Sequence, residues 1–307
     1  MSARKSRFPA PGFRLAFLAA CFALLVCAIG FAGCSKKKPD NGSAGDASGQ
    51  AIENKGSDTL VNLALAWAEV YMREHPDVSI SVTGGGSGTG IAAMINGTVA
   101  IANASREMKP EELAAAKANG IHPIEITVAR DAIAVVVNPS NPVRRLSIKQ
   151  ISDIYTGAIK NWMEVGGEDR PIVLLSRESN SGTYVYFLEN VIREGNSKSK
   201  LLFSRDTLLM PSSEGISSEI RQNPNAIGYD GLGYVTADLK VIAVAKSEHD
   251  RYIVPSVGTV EDGSYLIARP LFMYTAGKPA GQIKDYIEWI LNGGQTLVLK
   301  LGFVPLR

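Results

Sequence analysis

Four stretches of this 307-residue chain gather hydroxyl and other small polar side chains, three of them with glycine. They are "GSDTL" (Gly56 to Leu60), "GGGSGTG" (Gly84 to Gly90), "NASRE" (Asn103 to Glu107) and "RESNSGT" (Arg177 to Thr183). Ser and Thr supply hydroxyl donors, Gly lets the backbone come close to a ligand, and Arg177 supplies a fixed charge on a two-pronged fork. At a helix start these groups join unpaired N–H donors and a partial positive charge, which suits an anion. The same residue types are also ordinary helix N-caps, and taken singly each loop reads as a cap. Four such loops in one chain, the last of them carrying Arg177, point to an anion site. Ser181 can serve as cap and ligand together.

Other chemistries find few parts. A serine nucleophile needs a histidine base. His75 and His122 each precede a proline, and His249 sits in the charged "KSEHDRY", so all three are expected at the surface. Around Ser87, Gly85 is matched by Thr89 rather than glycine, so G-x-S-x-G fails. Neither G-x-x-x-x-G-K-[ST] nor G-x-G-x-x-G occurs. All three cysteines (Cys21, Cys27, Cys34) lie at the N-terminus, which excludes thiol and cysteine–metal chemistry from the rest of the chain. No catalysis, cofactor or metal is expected.

The loops need strands and helices to hold them. Short apolar runs alternate with amphipathic ones from Ala51 onward. Strands are expected at Val78–Val82, Val99–Ala102, Ala132–Val137 and Pro171–Leu175, the third apolar throughout, as for a strand covered on both faces. Helix faces are spelled by Leu63, Trp67, Val70 and Tyr71; by Tyr184, Phe187, Leu188 and Val191; and by Ile283, Ile287, Ile290 and Leu291. A further helix follows the glycines at Ser87. This is an α/β alternation. Trp67, Trp162 and Trp289 are expected in the core. Open sheets of this kind bind ligands beyond the carboxyl ends of their strands, where the four loops fall.

The N-terminus reads separately. Arg4, Lys5, Arg7 and Arg14 precede "LAFLAACFALLVCAIGFAGC". That is a basic region, an apolar region and a small-residue cleavage site, the pattern of a secretory signal over residues 1–33. Phe31-Ala32-Gly33-Cys34 resembles a bacterial lipobox, implying cleavage before Cys34 and acylation of it. The polar stretch over residues 34–50 reads as a flexible tether. Losing residues 1–33 removes four positive and no negative charges, moving the formal balance from +2 to about −2, so nothing points to nucleic acid.

The loops, read with their neighbours, resemble the phosphate-binding proteins of bacterial phosphate ABC transporters, which are type II periplasmic binding proteins. The stretches that carry the resemblance include "GSDTL", "GGGSGTGI", "INGTVAIANASREMK", "VARDAIAVVVNPSNPV", "SRESNSGTYVYF", "NAIGYDGLGYV", "RPLFMYT" and "LGFVP", in family order over nearly all of residues 52–307. The resemblance implies a two-lobed α/β fold with mixed sheets and a ligand cleft between the lobes. Lobe 1 would comprise residues 51–130 and 236–307, and lobe 2 residues 131–235. It implies phosphate contacts from Ser57, Thr59, the Leu60 N–H, Ser87, Arg177, Ser181, the Gly182 N–H and Thr183. It further implies a monomeric, lipid-anchored protein of the cell envelope that captures inorganic phosphate and hands it to ABC permease subunits. The alternatives are a binding protein for another tetrahedral oxyanion such as sulfate, and a non-transport surface sensor or adhesin. One departure stands out. Ala100 occupies a position where the family usually has Asp, taken here as the acceptor of the phosphate proton. Its absence puts discrimination against sulfate in doubt, with Asp58 or Glu178 as possible substitutes.

Overall fold

The computed structural model describes residues 51–306. The signal segment, Cys34 and the tether lie outside the described residues.

The chain opens with β1 (Ile52–Gly56), α1 (Asp58–Glu74), β2 (Ile80–Thr83), α2 (Ser87–Ile95), β3 (Ile101–Ala104) and α3 (Pro110–Ala118). β1 pairs in parallel with both β2 and β3. The carboxyl ends of β1 and β3 therefore point the same way, and "GSDTL" and "NASRE" leave the sheet side by side. α1 buries Leu63, Trp67 and Tyr71 of the stripe its spacing predicts, together with Leu60, while Val70 is only partly buried.

β4 (Ile124–Val137) then runs for 14 residues. Every residue from Ala132 to Val137 is buried, as its unbroken apolar run predicts. Next come β5 (Arg145–Ser147), α4 (Ile148–Thr156), β6 (Val173–Arg177), α5 (Gly182–Phe187), β7 (Leu208–Met210), α6 (Ser213–Gln222) and β8 (Ala226–Gly231). β6 lies parallel between β7 and β8. The helix after "SNSGT" changes pitch: beyond Phe187 it continues as one π-helical turn, Leu188–Ile192, with the Arg193 N–H donating to Leu188 O. The last elements are β9 (Lys240–Val241), β10 (Ala243–Ala245), α7 (Val257–Glu261), β11 (Ala268–Thr275), α8 (Gly281–Leu291) and α9 (Gln295–Lys300).

The main sheet runs β2-β1-β3-β11-β4-β8-β6-β7, with β9 paired to β4. β4 and β11 form its spine. The first part of β4 pairs antiparallel with β11 and its last five residues with β8. One core gathers Leu63, Trp67, Val128, Leu271, Ile287 and Phe303. A second gathers Ile133, Val135, Ile151, Trp162, Phe187 and Tyr229.

Two expectations need correction. The chain was expected to return somewhere after Val235, with residues 236–307 in the first lobe. Ile242, Val244, Val260, Tyr265 and Ile267 instead pack in the second core. β9 stays on the second half of β4 and β10 pairs with β5, so the chain rejoins the first core only along β11. Trp289 is half-buried rather than in the core, and its indole N–H donates to Glu74 Oε2 at 2.9 Å. Trp67 and Trp162 are buried as expected.

Candidate anion-binding site

Gly56 ends β1 with φ +145°, and a Cβ there would lie 2.1 Å from Asn103 O. Only glycine allows the "GSDTL" and "NASRE" loops to come this close. The contact sets Ser57 beside Ser105, whose hydroxyl accepts from Ser57 Oγ at 2.9 Å. Ser57 occupies the N-cap position of α1, yet its side chain makes no capping bond. Ser87, the first residue of α2, follows the same pattern. Its Oγ accepts from the Ser105 N–H at 3.0 Å and lies 3.3 Å from Ser105 Oγ.

The fourth loop comes in from the other core. Gly182 is the point of nearest approach: a Cβ there would sit 2.4 Å from Ser87 Oγ and 2.5 Å from Ser105 Oγ. Ser181 caps α5, its Oγ accepting from the Thr183 and Tyr184 N–H groups. Thr183 Oγ1 meets Thr59 Oγ1 at 2.8 Å. Five hydroxyls named from sequence, on Ser57, Thr59, Ser87, Ser181 and Thr183, are therefore all buried in one cluster. The cap reading holds for Ser181 and fails for Ser57 and Ser87. The Leu60 N–H turns back to Ser57 O at 3.0 Å.

Asn180 ties the cluster's two sides together. Its side-chain N–H donates to Gly85 O at 2.9 Å, and its carbonyl accepts from the Gly88 N–H at 3.0 Å.

Arg177 ends β6 and is 1% exposed. Its Nη2 donates to Asp58 Oδ2 at 2.6 Å and Pro211 O at 3.0 Å, its Nη1 to Ser213 Oγ at 2.9 Å, and its Nε to Met210 O at 3.3 Å. Ser213 Oγ in turn donates to Asp230 Oδ1 at 2.8 Å. Burial pushes the Asp230 carboxyl up to about 6, against the pull of Arg177, Ser213 and the Gly231 N–H.

A second arginine reaches the hydroxyls directly. Arg269 Nη2 lies 2.9 Å from Thr183 Oγ1 and 3.4 Å from Thr59 Oγ1. The same nitrogen donates to Asp131 Oδ2 at 3.0 Å, and Nη1 donates to Ser105 O at 2.9 Å. Asp131 is fully buried. Burial raises its carboxyl pKa, while Arg269 and the Leu232 and Ala132 N–H groups oppose the rise.

Ser105, Asp131, Ser213, Asp230 and Arg269 were absent from the sequence-based list. Ser105 belonged to a loop singled out for its composition. Asp131 and Arg269 lay inside the family-like stretches "VARDAIAVVV" and "RPLFMYT", without any local mark of a role. The Ala100 expectation is overturned. Ala100 precedes β3, with its N–H on Glu53 O at 3.0 Å, whereas the hydroxyl cluster follows the strand at Ser105. Five residues of extended chain put the two about 16 Å apart. Of the proposed substitutes, Glu178 is exposed and Asp58 sits on Arg177. His75, His122 and His249 are all exposed. Among the described residues no cluster of His, Cys, Asp and Glu could hold a metal ion. Among the same residues no helix is long and apolar enough to cross a membrane.

A family model described as a PBP superfamily domain matches residues 41–293. The "Phosphate-binding protein PstS" of Pseudomonas aeruginosa PAO1 is 33% identical over 286 residues, covering 87% of this chain and 86% of that protein. The protein of the same name from Bacillus subtilis strain 168 is 32% identical over 295 residues, covering 95% and 93%. Among solved structures, a phosphate ABC transporter substrate-binding protein from Clostridium perfringens, crystallised with bound phosphate, matches with TM-score 0.73 and 33% identity over 84% of this chain and 100% of that one.

Proposed function

The chain belongs to the PBP superfamily, among the phosphate-binding proteins of bacterial phosphate ABC transporters, and on that premise we propose that it captures inorganic phosphate outside the cytoplasm and delivers it to an ABC permease. The observation that carries the reading is the burial of hydroxyls from chain-distant loops, with Thr59 meeting Thr183, Arg269 on Thr183, and Arg177 on Asp58 next to Thr59. Hydroxyl and guanidinium donors converging in a buried space favour a small ligand rich in acceptor oxygens.

In this reading Ser57, Thr59, Ser87, Ser181, the Gly182 N–H and Thr183 contact the anion, with Arg177 as a nearby charge. The Leu60 N–H joins them if it releases Ser57 O. The lobes are residues 51–130 with 268–306, and residues 131–267, hinged where β4 and β11 run together. The protein releases the ion unchanged and catalyses nothing. Acylated Cys34 anchors a monomer to the membrane, and residues 34–50 give it reach.

Calorimetric titration of the purified full chain with phosphate, then with sulfate, tests the reading. Saturable 1:1 phosphate binding is expected. A chain that binds no phosphate, or prefers sulfate, overturns it.

A further inference from the structure

The second arginine has a place that the phosphate reading leaves unexplained. Arg269 and Asp131 are direct partners in the β4–β11 ladder, so their side chains leave the sheet on one face. Both are almost completely buried, with relative exposures of 2% and 0%. Tyr186 closes the other side: its ring centroid lies 5.5 Å from the Arg269 guanidinium carbon, and its hydroxyl donates to Ala268 O at 2.7 Å. A buried ion pair is costly to desolvate and often gains little stability over an apolar pair. Here the guanidinium has donors left beyond Asp131: Nη1 donates to Ser105 O at 2.9 Å, and the one hydrogen left on Nη2 goes to Thr183 Oγ1 at 2.9 Å, nearer than Thr59 Oγ1 at 3.4 Å. Each of these belongs to a residue or a loop of the hydroxyl cluster.

We propose that Arg269, held in place by Asp131, is a positioning residue that sets which way the Thr59 and Thr183 hydroxyl hydrogens point, and so commits that side of the site to an acceptor-rich anion. The reasoning is a count of hydrogens, and it rests on the phosphate reading above. A guanidinium can only donate, whereas a hydroxyl has one hydrogen and two lone pairs. When Arg269 donates to Thr183 Oγ1, it fills a lone pair and leaves the hydrogen. The Thr59–Thr183 contact consumes one hydrogen of the pair. The other is left to point away from both the guanidinium and its neighbour, free to meet an acceptor. Without Arg269 the leftover hydrogen could turn toward the vacated side as well as outward, and the anion would have to select one arrangement. Asp131 offsets the charge, so the pair acts by orientation more than by attraction.

The test is a double-mutant cycle on phosphate affinity in the full chain, read by calorimetry. Arg269→Met with Asp131→Asn removes both charges together, so no buried ion is left unpaired. This change is expected to weaken phosphate binding about tenfold, the scale of one charge-assisted hydrogen bond. In a Thr59→Val, Thr183→Val background it is expected to cost less than about threefold, because the hydroxyls it acts through are gone. Arg269→Lys keeps the charge opposite Asp131 but lacks the fork. It is expected to retain the wild-type fold and still lose affinity, which keeps the idea testable should the double change fail to fold. Undiminished affinity in Arg269→Lys, or equal losses in both backgrounds, overturns the proposal. A wild-type chain that binds no phosphate overturns instead the functional reading beneath it.

Discussion

Arg177 and Asp58 meet at 2.6 Å although 119 residues separate them, and the guanidinium is buried while the carboxylate keeps 14% of its side chain exposed. The pair joins the end of β6 to the start of α1, and so joins the two cores at the site. Asp58 also accepts from the Gly85 N–H at 2.9 Å through its other oxygen, and solvent reaching its exposed part screens its offset of Arg177.

Arg177 should therefore be the main fixed charge felt by a bound anion. Removing one partner of a desolvated, charged hydrogen bond costs about 2–5 kcal/mol, so Arg177→Ala should weaken phosphate binding on the order of a hundredfold or more. Calorimetry checks this, with thermal denaturation as the control for folding. Wild-type affinity in a folded variant removes Arg177 from the site.

Asn180 bridges the two cores through Gly85 O and the Gly88 N–H. Only the first bond uses its side chain. A neutral hydrogen bond is worth about 0.5–1.5 kcal/mol, so Asn180→Ala should weaken phosphate binding about 3–10-fold. The change should fall mainly on the dissociation rate, where most affinity differences between related complexes lie. Stopped-flow measurement separates the rates. An unchanged dissociation rate would show that the contact is incidental.

Burial holds the Asp230 carboxyl at about 6 in the folded chain, above its ordinary 3.8. The folded state thus keeps a proton that the unfolded state has already released between about pH 4 and 6, and stability falls as pH rises through that window. The loss amounts to at most about 3 kcal/mol by pH 8. Asp230→Asn, which cannot ionise, should raise Tm by several degrees at pH 8 and by little or nothing at pH 4.5. A variant less stable than wild type at pH 8 would mean that Arg177 holds Asp230 ionised at no cost.

Part of this site was legible in the sequence, for local reasons. Gly, Ser and Thr collect where a strand gives way to a helix, so the loops holding Ser57, Ser87 and Ser181 declare themselves by composition. The run from Ala132 to Val137 declares its burial in the same way. What could not be read is which distant residues face one another. Arg269 finds Asp131 only because the register of β4 against β11 places them opposite, 138 residues apart. Strand ends were equally hidden. Apolar runs placed β3 at Val99–Ala102 and β6 at Pro171–Leu175, but the ladders run two residues further along each, to Ala104 and Arg177. Hydrophobicity reports burial, whereas pairing decides where the strand stops. The late return of the chain was hidden too, since short strands such as β9 carry no preference for either core.

Anchoring rests on the sequence alone. Cys34 is the one cysteine followed at once by a polar stretch, "SKKKPDNGSAGDASGQ". Cys34→Ser should abolish fatty-acid labelling and membrane retention in cells. Equal labelling of both forms would place the anchor elsewhere or remove it.

Selectivity is the sharpest consequence of the corrected geometry. Protonated phosphate can donate a hydrogen bond to a carboxylate, and fully ionised sulfate cannot, so a carboxylate at the site repels sulfate. Ala100 lies about 16 Å of strand away from Ser105, beyond the reach of an aspartate side chain. Asp58 stands between Ser57 and Thr59, and its two hydrogen bonds, to Arg177 and the Gly85 N–H, fill only part of a carboxylate's roughly four acceptor positions. Asp58→Asn should narrow the preference for phosphate over sulfate by on the order of tenfold. Ala100→Asp should leave it within about twofold of wild type, for want of contact. Competition calorimetry at neutral pH, phosphate titrated against excess sulfate, measures both. A gain in preference from Ala100→Asp, with none lost in Asp58→Asn, would return the discriminating position to the start of β3 and count against the site as placed here.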